Sequence, residues 1–385
     1  MVHVFPTVLF SCIMGITILA LLEVFKRPEN KQNLCLKGLL LLLLIHSTGE
    51  LFVYSGAFVY APALTGAHIP FRVLLGSALY FYAYASMSPD KSTDKRMVIL
   101  AVSGPIIVIL GMLPFIFMIS PAEKIALATP STRDPELWKI AVFTCLFTTF
   151  VFILYTLLYL VAALKLHNGH RQQLMERFSE IEQRSLDWFR PVLLIWGAVW
   201  LMYAVEFSLG ALGWRWFGTG VVLPILEVIA LAIFIQKALN QKLLNDSDKG
   251  SPRVSQAEQG QTRAALLSAE KMQKIASKLE HAMKEDKLFL QDNLSLNKLS
   301  ESISESENHI SETLSQFLDT KFFQFVNCFR IEEAKAALLN SDKLITSIAF
   351  DVGFNSKSTF NTAFKKLVGQ SPSAYRKSLL EKNTL

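Results

Sequence analysis

The absences in this sequence narrow its reading first. Cysteine occurs four times, at Cys12, Cys35, Cys145 and Cys328, with no CxxC pair and no even spacing. That pattern excludes a disulfide framework and a structural zinc site. There is no Gly-rich nucleotide loop and no phosphate-binding lysine motif, and His46 and Glu50 come with no identifiable nucleophile. The chain therefore reads as a non-enzyme without cofactor or metal. No Lys or Arg precedes the first apolar run and no small-residue cleavage site follows it, so the expectation is a retained first helix and not a signal peptide. Charge is scarce as well: 18% of the 385 residues are charged and 51% are hydrophobic. The net charge of +6 is modest, and basic loops beside membrane segments would account for it.

What is present divides unevenly. Residues 1–240 hold almost all of the long apolar runs, and residues 241–385 read as a soluble, helical, charge-rich polypeptide. A bilayer core about 30 Å thick needs roughly 20 apolar residues in a helix, because no water is available there to satisfy unpaired peptide groups. Seven segments reach that length, near 5–25, 36–58, 68–87, 97–119, 139–163, 190–212 and 217–237. The second is interrupted by HSTGE at 46–50.

Direction follows from the Lys and Arg of the short loops, which resist translocation. Lys26, Arg27, Lys31 and Lys37 follow the first span; Lys91, Lys95 and Arg96 follow the third; Lys165, Arg171, Arg177, Arg184 and Arg190 follow the fifth. The alternate loops carry none at 61–67, then Lys124, Arg133 and Lys139, then Arg215. Twelve basic residues against four place the N-terminus outside and the C-terminus in the cytoplasm.

After the last span, the polar stretch 245–261 has the composition of a flexible tether, within a linker at 241–265. Met272, Ile275, Leu279 and Met283 then recur at helical spacing, as the core of the following domain or as a dimerising seam. The most informative stretch is GFNSKSTFNTAFKKLVGQSPSAYR at 353–376, preceded by ITSIAFDV. It reads as a helix-turn-helix. Ile348, Ala349 and Val352 face inward, Gly353 takes positive φ at the turn, and Asn355 or Ser356 caps a second helix. Phe360, Phe364 and Leu367 form the buried stripe of that helix. Lys357, Ser358, Asn361, Thr362, Lys365 and Lys366 remain outward, short polar or basic groups suited to base edges and phosphates. The helix ends at Gly369.

These residues resemble the C-terminal domain of AraC/XylS-family transcription regulators, closely over about 30 residues and more loosely over roughly 271–378. The resemblance implies a first helix-turn-helix at 294–318, with Asn308, His309 and Ser311 as its contacts, and a long connecting helix at 322–339. Such a rod spans roughly 27 Å, and successive major-groove faces repeat about every 34 Å, so one chain offers two recognition helices to neighbouring turns. The first motif departs from the pattern: Ser300 stands for a small Ala, Ser304 for a turn glycine, and the segment before Phe322 lacks Gly. Residues 278–320 carry nine acids and four lysines, net −5, and 356–385 carry six bases and one acid, net +5. Glu307 and Glu312 would repel phosphate, so the second motif is expected to carry most of the binding. His309 reads equally well as a helix-surface or capping residue.

Ionisable residues inside spans cost roughly 2.5–3.5 kcal/mol each on insertion scales, so they have partners or a role. Glu23, Lys37 and Arg72 lie near span ends, where a side chain can snorkel. Glu50, Glu206 and Glu227 are deeper and share the middle or outer half of the bilayer with His46, with Arg72 as counter-ion at the same level. They form either a signal-receiving cavity, a structural ion-pair network, or individually protonated carboxylates. The loop at 166–188 contains Leu174, Phe178 and Ile181 at helical spacing, as an interfacial helix extending span five or six or as a surface that contacts the DNA-binding part.

The fold expected is all-α, a seven-helix transmembrane bundle at 1–240 followed by a double helix-turn-helix DNA-binding domain at 266–385. The function expected is a membrane-anchored transcription regulator that couples a membrane-derived or small-molecule signal to sequence-specific promoter binding. Its partners would be double-stranded DNA, membrane lipid and a second copy of the chain. The alternative is a transporter or receptor with a regulatory tail, which internal repeats or discontinuous midplane helices would favour; no clear repeat is present.

Overall fold

The computed structural model describes residues 3–88, 92–181, 186–211, 214, 221–240 and 267–383. The linker at 241–265, with its tether, and the basic residues Lys91, Arg184 and Arg215 lie outside the described residues. The chain divides into two compact units. One comprises Met1–Asn168 with Asp187–Lys242, and the other Gly169–Leu186 with Leu243–Leu385. Among the described residues there is no strand, only an isolated antiparallel bridge between Phe178 and Ser295.

The first unit is built of α1 (Val4–Phe25), α2 (Lys31–Tyr54), α3 (Ile69–Arg72), α4 (Leu74–Met87), α5 (Lys95–Phe117), α6 (Pro121–Ala128), the body of α7 (Pro135–Arg177), α8 (Phe189–Ala211) and α9 (Val222–Asn240). Six of these, α1, α2, α5, α7, α8 and α9, are long and apolar enough to cross a membrane. The expected second span at 36–58 begins and ends earlier. Asn30 caps it by accepting from Asn33 N at 2.7 Å, and Gly56 turns the chain with φ 76°. HSTGE does not break that helix. The third expected span, 68–87, divides into α3 and α4 at Val73.

Inside this unit the aromatic rings interlock: Phe234 lies 5.3 Å from Trp196 and 5.7 Å from Tyr82, all three buried. The outward faces are apolar too, with Leu19, Leu22, Ile99, Leu110, Phe150 and Leu154 exposed. Helices that are apolar all round need an apolar surrounding on both sides.

The second unit contains α10 (Ala269–Lys284), α11 (Leu296–Ile303), α12 (Glu307–Glu312) with a π-helical turn at Thr313–Phe317, α13 (Phe322–Asn340), α14 (Ile345–Asp351), α15 (Lys357–Val368) and α16 (Pro372–Asn383). It has two cores. The first joins Ile275, Leu279 and Met283 of α10 to Leu299, Ile310, Leu314 and the first half of α13 through Phe322 and Val326. The α10 stripe is therefore core and not a dimer seam, with Met272 half-buried at its edge. The second core gathers Ile348, Ala349, Val352, Phe360 and Phe364 around Ile331, Ala334 and Leu338 of α13. The 19 residues of α13, roughly 28 Å of helix, thus serve one motif with each half.

Candidate nucleic-acid interface

The second motif is shaped by its turn. Gly353 sits at φ 92°, and a Cβ there would lie 2.6 Å from the Phe289 carbonyl oxygen and 2.8 Å from that of Leu290. Only glycine fits, on backbone and steric grounds alike. Phe354 follows it into the core and packs edge-on to Phe360 at 5.4 Å. Ser356, and not Asn355, caps α15, its hydroxyl accepting from Thr359 N at 3.1 Å. At the other end Gly369, φ 85°, donates to Lys365 O at 2.9 Å and stops the helix.

Those caps fix which face of α15 is outward. Phe360, Ala363 and Phe364 are buried. Leu367, expected on the same stripe, is 51% exposed; Val368 packs against the core in its place. The helix rotates so that 360, 363, 364 and 368 share one side, which leaves 367 at the margin. Opposite lie Lys357, Ser358, Thr362, Lys365 and Lys366, all exposed, with Asn361 half-buried at the edge. No ion pair holds any of the three lysines among the described residues, so their charges face outward uncommitted.

The first motif has the same plan with other means. Ser304 takes the left-handed turn conformation, φ 52°, that glycine takes in the second, and Asp319 does so at φ 45° before α13. Ser306 caps α12 through His309 N at 3.2 Å. Asn308 is exposed, and His309 and Ser311 are half-buried. The acids are engaged within the fold. Lys278 Nζ meets Glu305 at 2.6 Å, Asn297 donates to Glu307 at 3.1 Å, Leu267 N donates to Glu312 at 3.3 Å, and His309 Nδ1 lies 3.8 Å from Glu305. The hydrogen bond from Lys278 holds the Glu305 carboxyl below its ordinary value of 4.5, against a smaller opposing effect of burial.

Between the cores stands Arg330, fully buried, a residue the sequence reading missed. Its Nε donates to Phe289 O at 2.8 Å and its Nη2 to Gln291 O at 2.7 Å and Ser179 Oγ at 3.2 Å. Burial pushes its pKa down to about 10, so it stays charged at neutral pH. A signal was available: Val326, Arg330, Ala334 and Leu338 recur every four residues, which puts the arginine on the buried stripe of α13. Ser179 is itself tied to the same place, its N and Oγ both donating to Leu294 O at 3.2 and 2.7 Å. Glu176 pairs with Lys321 at 3.2 Å, and Ile181 is buried. Each reading of the 166–188 loop finds support: α7 continues from the fifth span as helix to Arg177, and Glu176 and Ser179 contact the helix-turn-helix part.

In the first unit, four of the five expected polar residues converge. His46 Nε2 is 3.1 Å from Glu227, and His46 Nδ1 is 3.9 Å from Glu50. Arg72 Nη1 is 3.8 Å from Glu50 and donates to Tyr203 OH at 3.0 Å. The guanidinium is stacked between Phe152 and Tyr203, with centroid distances of 4.8 and 5.0 Å. Arg72 is thus buried and does not snorkel; it meets Glu50 as the counter-ion expected at that level. Glu23 is exposed, 3.9 Å from Lys26, whereas the Lys37 side chain is largely covered, over the Phe25 ring at 5.0 Å, with its Nζ 3.7 Å from Glu29. His68, which the sequence reading passed over, reaches Glu50 at 3.5 Å. A Cβ at Gly49 would overlap the His68 ring, which explains a glycine in the middle of the span. Glu206, the fifth, lines a cavity together with Glu50 and Glu227.

Comparison with known proteins bears on the second unit. Residues 299–378 match the family model described as a helix-turn-helix domain. An uncharacterised HTH-type transcriptional regulator of Staphylococcus aureus is 35% identical over 112 residues, 29% of this chain and 14% of its own length. The melibiose operon regulatory protein of Escherichia coli is 33% identical over 84 residues, 22% of this chain and 28% of that protein. The C-terminal domain of AraT, a response regulator from Geobacillus stearothermophilus, is 30% identical, covering 30% of this chain and 88% of that one, with a TM-score of 0.24. The chain thus spans about a seventh of the length of the staphylococcal relative. The C-terminal part of this protein carries a helix-turn-helix domain of the AraC type.

Proposed function

We propose that this protein is a membrane-anchored transcription regulator, a binding protein and not an enzyme, that couples a signal received by its apolar helical unit to sequence-specific promoter binding. The observation that carries the DNA-binding half is the outward face of α15, where three exposed lysines flank Ser358, Asn361 and Thr362. The lysines supply phosphate attraction, and the short polar groups supply base discrimination in the major groove. The likeness of the second unit to HTH-type regulators of Staphylococcus aureus and Escherichia coli supports the same reading.

Six apolar helices with outward-facing Leu, Ile and Phe support membrane anchoring; α3 and α4 together, divided at Val73, supply a seventh passage. The loop charges support an outside N-terminus and a cytoplasmic C-terminus at a bacterial inner membrane. Coupling is supported by the segment Gly169–Leu186. By chain order it joins α7 to α8, and it packs with the helix-turn-helix unit, where Ser179 bonds to Leu294 and Arg330. A change in the ends of α7 and α8 therefore has a covalent route to the joint between the two motifs. Signal and regulator are linked only if the signal binds one state of the helical unit better than the other.

The test is selection of bound duplexes from a random pool by the full-length protein in lipid nanodiscs, followed by titration of the selected operator. Discrete enriched sequences, with affinity at least about a thousandfold above random duplex, are expected. An unenriched pool would overturn the proposal.

A further inference from the structure

The segment 176–181 follows α7 to its end at Arg177 and then lies along the first helix-turn-helix motif as a strap. It is tied to that motif at both ends. Phe178 forms an antiparallel bridge with Ser295, the residue that caps α11 by accepting from Lys298 N at 3.3 Å. Glu176 pairs at 3.2 Å with Lys321, the residue that precedes α13. Between these ties Ser179, 1% exposed, donates from N and Oγ to Leu294 O at 3.2 and 2.7 Å. Its hydroxyl also accepts from Arg330 Nη2 at 3.2 Å, so a single buried oxygen joins α13 to the turn before α11.

That turn is shared by the two motifs. Arg330 donates to Phe289 O and Gln291 O at 2.8 and 2.7 Å. The second motif brings Gly353 so near that a Cβ there would lie 2.6 Å from Phe289 O and 2.8 Å from Leu290 O. Residues 289–294 therefore carry the turn of the second motif at one end, and the strap with the start of α11 at the other. The stretch has little slack, because Phe289, Leu294 and Leu296 are buried in the first core. A close-packed joint of this kind answers a small displacement by moving between discrete packings and not by stretching. Displacing the strap thus moves the first motif against α13, and none of these ties falls on α15.

From this juxtaposition we infer that Ser179 is a positioning residue for DNA reading. Held as it is, the strap fixes the separation and rotation between the recognition helices α12 and α15, and with them the half-site spacing that one chain accepts. The strap belongs by sequence to the segment that joins α7 to α8, so a change in those helices tunes which operator spacing is bound while the second motif keeps its own contacts. The inference rests on the reading of the second unit as a DNA reader and names what its regulation alters.

The experiment titrates full-length protein in nanodiscs against three forms of the selected operator. One is unaltered, one has a base pair inserted between its half-sites, and one has a scrambled first half-site, identified as the half that Thr362→Ala leaves unchanged. The insertion turns the half-sites by roughly 35° and parts them by roughly 3.4 Å. The native chain should lose at least about fivefold in affinity on insertion and on scrambling alike, the low end of a one-base-pair error. Ser179→Ala removes the hydroxyl alone, and Ser179→Leu is too large for the buried position and expels the strap. Each should lose less than about twofold on insertion and still about fivefold on scrambling, the behaviour of a first motif that binds but is no longer held in register. Lys365→Ala should weaken all three forms and keep the native insertion penalty. The inference is overturned when neither Ser179 variant relaxes the insertion penalty while keeping the scrambling penalty. A native chain indifferent to insertion, or a selected operator with a single half-site, overturns it as well. All of these results leave the DNA-binding proposal standing, whereas a random pool with no enriched sequence sinks that proposal and this one with it.

Discussion

The two helix-turn-helix motifs share one connecting helix and one architecture, yet their surfaces have opposite character. Both turn the chain through a left-handed residue, Gly353 in one and Ser304 in the other, and both cap the following helix with serine. The second motif then presents Lys357, Lys365 and Lys366 to solvent, and the first spends its charge internally, with Glu305, Glu307 and Glu312 bound to Lys278, Asn297 and the backbone of Leu267. The cores are what the motifs have in common, and the proposed DNA binding is assigned to the residues that the cores leave over.

The largest effects should come from the cores. Phe360→Ala or Phe364→Ala removes a fully buried ring and should cost about 3–5 kcal/mol; loss of operator binding and new protease cleavage within 322–383 would register it. Removing the joint comes next. Arg330→Ala leaves the Phe289 and Gln291 carbonyls without their buried donor, each worth about 1–3 kcal/mol. It should loosen 176–181 as well as the motifs, seen as faster amide exchange there. Arg330→Lys restores the charge but not the fork, so an intermediate loss is expected.

Surface changes should then split the two motifs. Thr362→Ala or Asn361→Ala should alter preference at one base pair by about 1–3 kcal/mol. Lys365→Ala or Lys366→Ala should weaken all duplexes alike and reduce the salt slope by about one. The matching changes at Asn308, His309 and Ser311 should do less; an equal effect would break the asymmetry. The smallest effect is pH dependence in the first motif. Because Lys278 holds the Glu305 carboxyl below its ordinary value, their bond stabilises the fold above the ordinary carboxylate range and is lost as pH falls through the lowered value. For so accessible a pair the loss should stay below about 1 kcal/mol, and Glu305→Gln should abolish it in acid unfolding curves.

Much of this was legible in the residues. The turn at Gly353, the burial of Phe360 and Phe364 and the stop at Gly369 follow from local chemistry and a 3.6-residue period. The misplacement of Leu367 shows the limit of that period, since a stripe only four residues wide is decided by a few tens of degrees of helix rotation. The place of Arg72 near a span end favours snorkelling and its level beside Glu50 favours a counter-ion; burial against Phe152 and Tyr203, which decides for the second, is a tertiary contact that no local pattern announces. Ser304 stands in sequence as a departure from a turn glycine, and the segment before Phe322 as one that lacks Gly; that Ser304 and Asp319 adopt the glycine conformation shows only in the fold. Arg330 was overlooked because an arginine within a helix is ordinarily a surface group, and its three backbone and hydroxyl partners come from segments 39 to 151 residues away.

The central claim is that the basic face of α15 reads operators while the apolar unit holds the protein at the membrane. Genome-wide crosslinking of the full-length protein tests it most directly, comparing the native chain with the Lys357→Ala, Lys365→Ala, Lys366→Ala triple variant at equal membrane abundance. Discrete peaks that vanish in the variant are predicted; peaks that survive it, or a native profile no different from background, would contradict the account.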